Sequence, residues 1–481
     1  MNRPLASLPF PPPHATTLKL AKAIQAAGGR ALLVGGWVRD ALLGKTLSKD
    51  LDIEVFGLEA KPLRNVLEGF GRVHLVGRQF GVYKLNLKGA EYDVSIPRRE
   101  RKSGSGHRGF DVETDPSMTF EQAAYRRDFT MNAMGYDPLT EELMDPYGGQ
   151  AHLQAGVLAH VGPAFGEDPL RTLRAMQLAA RFHLTIAPET LAICREQDLT
   201  ELPSERLWEE FRKLLLKARQ PGLGWVYAPA LGVLRLFPEW EALEPGPMEA
   251  DERTLKGSLH WKLACSALDA AGEVDPPPSH LAENEAMVRQ TAALLLFLDA
   301  HPQPASAEVP GVVGPKITKV DARWEGRTPQ ARQFLARLTS EIQLTRQVLA
   351  LLQAQRDIPA ASILAEPTQQ ALATVRRLAL VAPLPQLVWL EQVHFEAWRQ
   401  VAPPAQATPR APLLQSLAQQ AGVWQAPPEP LVTGKDLMAL GHRPGKEMGD
   451  LLQAMFEHQL DGELTTAPAA LEWIKNYRPT P

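Results

Sequence analysis

The chain has 481 residues, 44% of them apolar, so it can bury several cores and should hold about three domains. Its 51 basic and 55 acidic residues give a net charge of −4, so any binding of nucleic acid must come from local patches. The two cysteines, Cys194 and Cys265, belong to no CxxC or Cys/His cluster, which argues against structural zinc and disulfides and fits a reducing cytoplasm. Proline interrupts the N-terminus and the apolar runs are short, so we expect neither export nor a membrane span.

The predicted secondary structure changes character near residue 150. Before it, from about residue 30, short strand-like runs alternate with turns and a helix or two, which predicts an α+β head with a mixed sheet. Beyond Gly149, apolar residues such as Leu170, Leu173 and Ala180 recur at helical spacing, which predicts an almost entirely helical remainder. Proline-rich breaks divide this helical part, and we expect a head over 1–150, a neck over 151–220, a body over 221–425 and a tail over 426–481.

A strand-like run ends at Gly35 and Gly36, and residues 37–43 then have the pattern of a helix start. Glycine lets backbone N–H groups approach phosphates closely, and a helix N-terminus favours anions. The glycine pair therefore suggests a phosphate cradle. Taken alone, it fits an ordinary strand-to-helix turn better.

The next predicted strand, 49–56, places Asp50 and Asp52 on one face because side chains alternate along a strand. Two such carboxylates repel unless a cation lies between them, and Mg²⁺ binds in this way together with substrate phosphates. Asp93 adds a third carboxylate if its strand lies beside the first, and otherwise it is an exposed strand aspartate. Glu54 shares the face, and we expect it to be solvated. The pattern predicts nucleotidyl transfer through a two-metal Mg²⁺ site without a side-chain general base.

Longer motifs follow one another in series along the first 220 residues. They are Gly35-Gly36-x-Val38-Arg39-Asp40 with Asp50-x-Asp52, then Arg126-Arg127-Asp128-Phe129-Thr130-Met131-Asn132-Ala133, then Glu167-Asp168-x-x-Arg171-x-x-Arg174. Together they resemble the class II tRNA nucleotidyltransferases, which are the CCA-adding enzymes and the related bacterial poly(A) polymerases. The resemblance implies a polymerase-β-like nucleotidyltransferase head followed by a helical neck that reads the incoming base.

The resemblance also implies roles for individual residues of these motifs. The implied nucleotide-binding residues around the triphosphate and ribose are Gly35, Gly36, Arg39, Arg126, Arg127, Asp128 and Asn132. Arg174 is expected to support the site by contacting phosphate or a carboxylate. For Arg39 the alternative is a structural ion pair with Asp40.

Asp168 and Arg171 are three residues apart on a predicted helix, so they should project together. A carboxylate accepts from an exocyclic amine and a guanidinium donates to a ring acceptor, so the pair suits cytosine and adenine better than uracil and guanine. The resemblance assigns this pair to base recognition. The alternative is a simple salt bridge on a neck helix.

The stretch from Pro97 to Asp115 is basic and glycine-rich, and it is similar to the family's flexible loop that helps switch specificity from C to A. Arg98, Arg99 and Lys102 are candidate contacts to the RNA backbone, the alternative being a solvated surface loop. Within residues 76–81, Gln79 stands where poly(A) polymerases typically carry a second basic residue, which favours CCA addition.

The later helical part offers weaker signals. Many bacterial relatives have a phosphohydrolase body marked by a His-Asp pair, but here Phe297 and Leu298 precede Asp299, and neither Asp299 nor His301 alone makes a metal site. We therefore expect a degenerate body without hydrolase activity. In the tail, the resemblance and the exposed glycines predict that Lys435, Arg443 and Lys446 contact tRNA backbone, a plain helix-turn-helix connection being the alternative.

These patterns predict a cytoplasmic, Mg²⁺-dependent enzyme that adds CCA, or part of it, to tRNA 3′ ends from CTP and ATP without a template. CC-only addition, A-only addition and poly(A) synthesis are alternatives within the family. A non-catalytic RNA-binding protein on the same scaffold is the alternative from another class, and the intact Asp50 and Asp52 speak against it. The sequence indicates no oligomeric state.

Overall fold

The computed structural model describes residues 15–45, 50–76, 82–87, 89–102, 110–243, 257–274, 283–299, 328–402 and 408–477. The chain forms two compact units. The first contains the described residues up to Glu210 and Tyr227–Leu236, and the second contains Phe211–Val226 and the described residues from Phe237 onwards. The predicted division into head, neck, body and tail is finer than these units and stays a prediction.

The first part of the chain alternates helices and strands, as predicted for the head. Its elements are α1 (Ala15–Ala26), β1 (Arg30–Val34), α2 (Gly36–Leu42), β2 (Asp50–Phe56), α3 (Ala60–Glu68), β3 (Val73–Val76), β4 (Val82–Leu87), β5 (Ala90–Ser95), β6 (Arg98–Lys102), β7 (Phe110–Thr114), α4 (Phe120–Ala124), β8 (Gly135–Asp137) and β9 (Glu142–Met144). A 3₁₀ turn, Thr130–Asn132, lies between α4 and β8.

Seven of these strands form one sheet in the order β3-β4-β5-β2-β1-β8-β9. Strands β2 and β5 are parallel, whereas β1 with β2 and β4 with β5 are antiparallel, which confirms the predicted mixed sheet. Helix α1 covers one face, where Thr17 bonds to Tyr92 over 3.0 Å. On the other face, Phe56 packs with Phe120 of α4, so α4 covers one end of the face that carries Asp50 and Asp52.

Strands β6 and β7 form a separate two-stranded sheet. The stretch from Pro97 to Asp115, expected to be a flexible loop, is therefore an antiparallel hairpin over the part that the structure describes. The expectation was wrong because alternating charged residues such as Arg99 and Arg101 carry no apolar pattern, although cross-strand pairing with β7 satisfies the backbone of β6. Residues 103–109, with the glycines of this stretch, lie outside the described residues.

Beyond Met144 the chain is mainly helical, as predicted. The next elements are α5 (Gly149–Ala155), β10 (Val157–Leu158), α6 (Leu170–Phe182), β11 (Thr185–Ile186), α7 (Pro188–Arg195), α8 (Ser204–Lys217) and α9 (Pro221–Tyr227). A 3₁₀ turn, Pro163–Glu167, precedes α6, and β10 pairs with β11 in a short parallel ladder.

The remaining helices are α10 (Leu259–Glu273), α11 (Glu283–Leu295), α12 (Pro329–Leu338), α13 (Ile342–Arg356), α14 (Ala361–Leu364), α15 (Gln369–Val381), α16 (Leu384–Val401), α17 (Arg410–Gln420), α18 (Gly434–Ala439), α19 (Lys446–Leu460) and α20 (Ala467–Asn476). Two further 3₁₀ turns are Val233–Leu236 and Pro238–Leu243.

The second unit has an aromatic core in which Trp240 lies edge-on to Trp225, with ring centroids 4.7 Å apart, and Phe334 packs against both. A separate cluster that includes Val432, Leu437 and Met455 forms the core of the last three helices. No single helix of the described residues is both long and apolar enough to cross a bilayer, and α15 and α16 pass that test only when joined across a 102° bend.

Candidate functional site

Three carboxylates meet on one face of the head sheet. Asp52 of β2 and Asp93 of β5 are direct partners across the parallel pair, which confirms that the two strands lie side by side. Asp50 shares the face with Asp52. Burial raises the pKa of Asp52, and although Arg127 opposes this, the charges of Asp93 and Asp50 raise the pKa further. The carboxylates thus form a site that would gain from a cation.

The sequence interpretation missed Lys84, which lies on β4 opposite Asp93. Its ammonium is 2.9 Å from Glu91 Oε1 and 3.1 Å from Asp93 Oδ1. Hydrogen bonds from Lys84 to Glu91 and Asp93 raise the pKa of Lys84. The alternation of Tyr83, Lys84 and Leu85 was the available signal, but it identifies no partner until the strands are paired.

The glycine turn lies against this carboxylate site. Gly35 has φ 70°, a left-handed conformation that favours glycine. A Cβ added to Gly35 would lie 3.4 Å from both Asp52 Oδ2 and Arg127 NH1. The structure therefore brings the first and second sequence motifs to one place. At Gly36 an added Cβ would lie 3.3 Å from Arg39 NH2.

Two arginines of the second motif converge on Glu54. Glu54 Oε2 is 3.2 Å from Arg127 NH2, and Glu54 Oε1 is 3.5 Å from Arg126 NH2. The prediction that Glu54 is solvated was wrong, because its side chain is 1% exposed. Strand alternation assigned it to the correct face but gave no sign that the segment after α4 covers that face. Glu54 is a buried anchor for both arginines.

A chain of hydrogen bonds links the motifs behind the arginines. Arg39, almost fully buried, donates from Nε to Asp40 Oδ1 over 2.9 Å and from NH1 to Asn132 Oδ1 over 2.8 Å. Asn132 donates to Asp128 Oδ1 over 3.0 Å. Arg174 donates twice to Asp128 Oδ2, over 2.8 and 2.6 Å. Arg39 thus makes the alternative ion pair with Asp40 that the sequence left open, and it also holds Asn132.

Burial alone would raise the pKa of Asp128. The charge of Arg174 and hydrogen bonds from Asn132, Arg174 and the Phe129 amide instead hold that pKa below its usual range. Asp128 is therefore a buried anion with four hydrogen bonds, and such a group braces its surroundings. The implied contact of Asp128 and Asn132 with a ribose stays a prediction.

Asp168 does not lie on the helix that carries Arg171. Helix α6 begins at Leu170, and Asp168 is extended, with φ −120° and ψ 101°. The prediction of a shared helix overlooked Pro169, which disfavours a helical conformation of the residue before it. Asp168 Oδ1 accepts from the Leu170 amide over 3.1 Å, so it serves the start of the helix.

The two side chains also bind different partners. Arg171 donates to the Ala164 carbonyl over 2.7 Å and to the Arg126 carbonyl over 2.8 Å. Asp168 Oδ2 accepts from Arg206 NH2 over 3.1 Å. The structure therefore connects Arg171 to the second motif. The joint role of Asp168 and Arg171 in base recognition stays a prediction.

Helix α8 supplies two residues that the sequence interpretation missed. Arg206 pairs with Asp168, and Glu210, nearly fully buried, lies 3.8 Å from Arg174 NH1. They are four residues apart, so they share one helix face. That spacing was visible in the sequence, beside Leu207 and Phe211, but it did not identify the partners. Each contacts a residue of the third motif.

The candidate RNA contacts lie at two places. At the base of the β6–β7 hairpin, Arg99 donates to Asp115 Oδ2 over 2.7 Å. Arg98 is the first residue of β6 and Lys102 is the last. The side chain of Lys102 lies outside the described part. In the last helices, the exposed residues Lys435, Arg443 and Lys446 surround the turn between α18 and α19. Gln79 lies outside the described residues, so its comparison with poly(A) polymerases stays a prediction.

In the second unit, Asp299 caps a helix. Its oxygens accept from the Gln330 and Ala331 amides at the start of α12, over 2.8 and 3.2 Å. His301 lies outside the described residues. Across the described ranges, no group of three or more His, Cys, Asp or Glu side chains is placed to hold a metal ion, and this includes Asp50, Asp52 and Asp93 of the head sheet.

Residues 31–159 match the family model of the Poly A polymerase head domain. This confirms the resemblance that the motifs predicted, and the matched range includes the carboxylate site and both arginines anchored by Glu54. A "Multifunctional CCA protein" of Xanthomonas oryzae pv. oryzae is 44% identical over 225 residues, which are 45% of this chain and 53% of that relative. The chain thus spans about half the length of this curated relative.

The fold beyond the head domain is similar to that of solved CCA-adding enzymes. The Bacillus stearothermophilus enzyme in complex with CTP has a TM-score of 0.62 at 21% identity, covering 97% of this chain and 98% of that one. The Thermotoga maritima enzyme complexed with tRNA has a TM-score of 0.59 at 19% identity, with 99% of both chains covered. These similarities confirm the predicted fold class, a mixed-sheet head followed by helices.

Proposed function

We propose that the chain is a nucleotidyltransferase that adds CCA, or part of it, to tRNA 3′ ends from CTP and ATP without a template, releasing pyrophosphate. One observation carries the proposal: Gly35 lies against both the Asp52 carboxylate and the Arg127 guanidinium. A turn that admits phosphate, a carboxylate site for metal and an anchored arginine are the parts that transfer of a nucleotidyl group needs. The name of the curated relative and the fold of the solved enzymes support tRNA as the acceptor.

Polymerase-like nucleotidyltransferases of this kind depend in general on a divalent metal, and we propose Mg²⁺ held by Asp50 and Asp52 in a two-metal site. The raised pKa of Asp52 supports this ion, because desolvation and the charges of Asp93 and Asp50 all disfavour the bare carboxylate. Mg²⁺ usually takes one or two carboxylates and completes its shell with substrate phosphates and water. Asp93 is the proposed third carboxylate. When bound, the metal would lower the pKa of the attacking hydroxyl and neutralise charge on the leaving pyrophosphate.

The protein's own groups bind and align the triphosphate. The Gly35-Gly36 turn lets the backbone approach the phosphates, and Arg126 and Arg127 donate to phosphate oxygens. Because Glu54 holds both guanidinium groups, they are ordered before the nucleotide arrives, which reduces the entropy lost on binding. Arg39 contributes indirectly, because it donates a hydrogen bond to the side-chain amide oxygen of Asn132.

Asp168 and Arg171 are the proposed reading groups for the base of the incoming nucleotide. Cytosine and adenine each present an amine beside a ring acceptor, which a carboxylate and a guanidinium can satisfy together. We propose that Asp128 and Asn132 contact the ribose, with Arg174 holding Asp128 in place. Uracil and guanine would leave a buried group unpaired, at a cost of about 1–3 kcal/mol each.

We also propose that Arg98, Arg99 and Lys102 contact the RNA near the transfer site, and that Lys435, Arg443 and Lys446 contact its backbone further away. Positive side chains favour phosphate whatever the RNA sequence, and Arg99, Lys435, Arg443 and Lys446 are exposed. A cytoplasmic location is proposed too. It is supported by the two free cysteines, both buried, with burial raising the pKa of Cys194 to about 12.

Poly(A) synthesis is the second candidate, because the matched head domain takes its name from that activity. One assay separates the two. Transcripts of a tRNA that lack the last three, two or one nucleotides are incubated with Mg²⁺ and CTP, ATP or both, and the products are sized at single-nucleotide resolution. Completion to CCA supports the first proposal, a stop after two C residues indicates CC addition, and a long tail of A indicates poly(A) synthesis. A lack of incorporation with every transcript would refute both.

A further inference from the structure

The head has a cavity of 390 Å³ that lies apart from the carboxylate site. It is lined by Arg99, Met118, Glu121, Gln122, Tyr125 and Tyr147. Its volume lies in the range of sites that bind small molecules, about 300–1,000 Å³. None of these residues except Arg99 has a role in the function proposed above, so the cavity needs an explanation of its own.

Two tyrosine rings form walls of this cavity. Their centroids are 6.3 Å apart with an interplanar angle of 46°, so the rings adjoin without stacking on each other. The Tyr147 hydroxyl donates to the Glu121 carbonyl over 2.9 Å, which fixes one ring. The other ring packs on Gly162, where an added Cβ would lie only 2.8 Å from Tyr125 Cε2. Both rings are thus held in place, yet Tyr125 remains 42% exposed.

The polar groups of the cavity come from the start of α4. Gln122 Oε1 accepts from the Thr119 amide over 3.0 Å as part of a capping box, so the Gln122 side-chain nitrogen is the end that can donate to a ligand. Glu121, exposed in the first turn of α4, supplies an acceptor. A planar ring with both an amine and an acceptor matches this combination, and an exposed aromatic face stacks on such rings.

The position of the cavity relates it to the RNA rather than to the incoming nucleotide. Asp52 and Phe56 are four residues apart on β2, about 13 Å, and Phe56 packs with Phe120 of α4, whose start lines the cavity. The next residue after Tyr125 is Arg126, a proposed phosphate ligand. The cavity therefore lies on the same face as the carboxylates, but none of them lines it, so it suits a nucleotide next to the reacting one rather than the reacting nucleotide itself.

We propose that this cavity binds an unpaired nucleobase of the RNA substrate, stacked on Tyr125. The proposal rests on the proposed function, since it assumes that RNA is the acceptor. Glu121 and Gln122 hydrogen-bond to the edge of the base, and Tyr147 closes the far side. The cavity is a second binding site for the single-stranded 3′ end. It increases the affinity for RNA without contacting the reacting atoms.

Substitutions at Tyr125 test this. The probe is a fluorescently labelled RNA stem-loop with a single-stranded 3′ extension, and its Kd is measured by anisotropy without nucleotides. Loss of one base–aromatic stack should weaken binding of Tyr125→Ala about 5- to 100-fold and raise the KM for RNA similarly, with the KM for CTP unchanged. Tyr125→Phe keeps the ring and should bind normally. Ile342→Ala, which shortens another exposed apolar side chain in the second unit, is the control.

Because Tyr125 also packs on Gly162, a structural role needs a separate readout. If Tyr125→Ala leaves the RNA Kd unchanged, or raises the KM for CTP instead, the ring is a packing element and the proposal is wrong. Glu121→Ala changes a group of the same cavity while keeping the Tyr125 ring that packs on Gly162, and it should weaken RNA binding several-fold. A thiouridine placed in the 3′ extension should cross-link to the peptide that contains Tyr125, and cross-links confined to other peptides would also overturn the proposal. Tyr125-dependent binding without any nucleotide incorporation would instead refute the proposed function alone.

Discussion

Replacing Glu54 by Gln tests whether this buried carboxylate orders the two arginines of the nucleotide site. The change keeps the shape of the side chain and removes its charge. Of the two contacts, the one to Arg127 at 3.2 Å is a good charged hydrogen bond, and the one to Arg126 at 3.5 Å is at the limit of hydrogen bonding. A hydrogen bond to a charged group contributes about 1.5–3 kcal/mol, and water reaches part of each arginine, so we expect a loss of about 2 kcal/mol.

In a unit of this size, a loss of about 2 kcal/mol corresponds to a fall in Tm of about 4–8 °C, which calorimetry can detect. Because the arginines are then disordered before the nucleotide binds, the KM for CTP should rise about tenfold. Glu68→Gln is the matched control, since Glu68 makes an exposed pair with Arg64 and its loss should cost under about 0.5 kcal/mol. A Glu54→Gln protein with an unchanged KM for CTP would refute the reasoning, even if its Tm fell.

Further predictions concern the proposed catalytic carboxylate, the proposed base-reading segment and a buried acid of the second unit. Asp52→Asn should lower the rate of nucleotide incorporation by about 10³-fold or more, because the variant loses a proposed metal ligand. CTP binding, measured by calorimetry, should persist. Retained activity would contradict the metal assignment. Arg206→Ala frees Asp168 from its partner, so the ratio of kcat/KM for CTP over UTP should fall about tenfold, and an unchanged ratio would show that Arg206 is not involved. Burial raises the pKa of Asp269 to about 6, so its carboxyl group ionises less readily in the folded protein than in the unfolded chain. The free energy of unfolding therefore falls as the pH rises from about 4 to 6. Asp269→Asn should therefore raise the unfolding free energy by up to about 3 kcal/mol at pH 7 and by little at pH 4, and a constant difference across pH would contradict this.

Residues whose neighbours lie on the same strand could be predicted from the sequence. Alternation along β2 is sufficient to place Asp50 and Asp52 together, and the strand pattern around Asp93 led to a pairing that the structure confirms. Side chains alternate regardless of the surrounding fold, so such predictions need only the local conformation.

Residues whose role depends on a distant segment could not be predicted in this way. In the sequence, Glu54 and Lys84 look like ordinary charged residues on strands. The structure shows that Glu54 pairs with Arg127 and that Lys84 pairs with Asp93. Glu54 and Arg127 lie 73 residues apart in the chain, and no local pattern encodes that partner. Lys84 and Asp93 are closer in sequence and face each other only because β4 and β5 pair in this register. Asp168 is a different case, because Pro169 beside it did carry the information that it lies outside the helix.

One guanidinium, that of Arg171, donates to the carbonyls of both Ala164 and Arg126. The backbone of an arginine proposed to bind phosphate is therefore held by the side chain proposed to read the base. If a mismatched base draws Arg171 out of position, Arg126 loses its support, and the triphosphate loses its alignment. By thermodynamic reciprocity, a well-seated triphosphate in turn sharpens the choice of base. Recognition of the base and binding of the triphosphate would then be coupled, so a wrong base would weaken the hold on its own triphosphate.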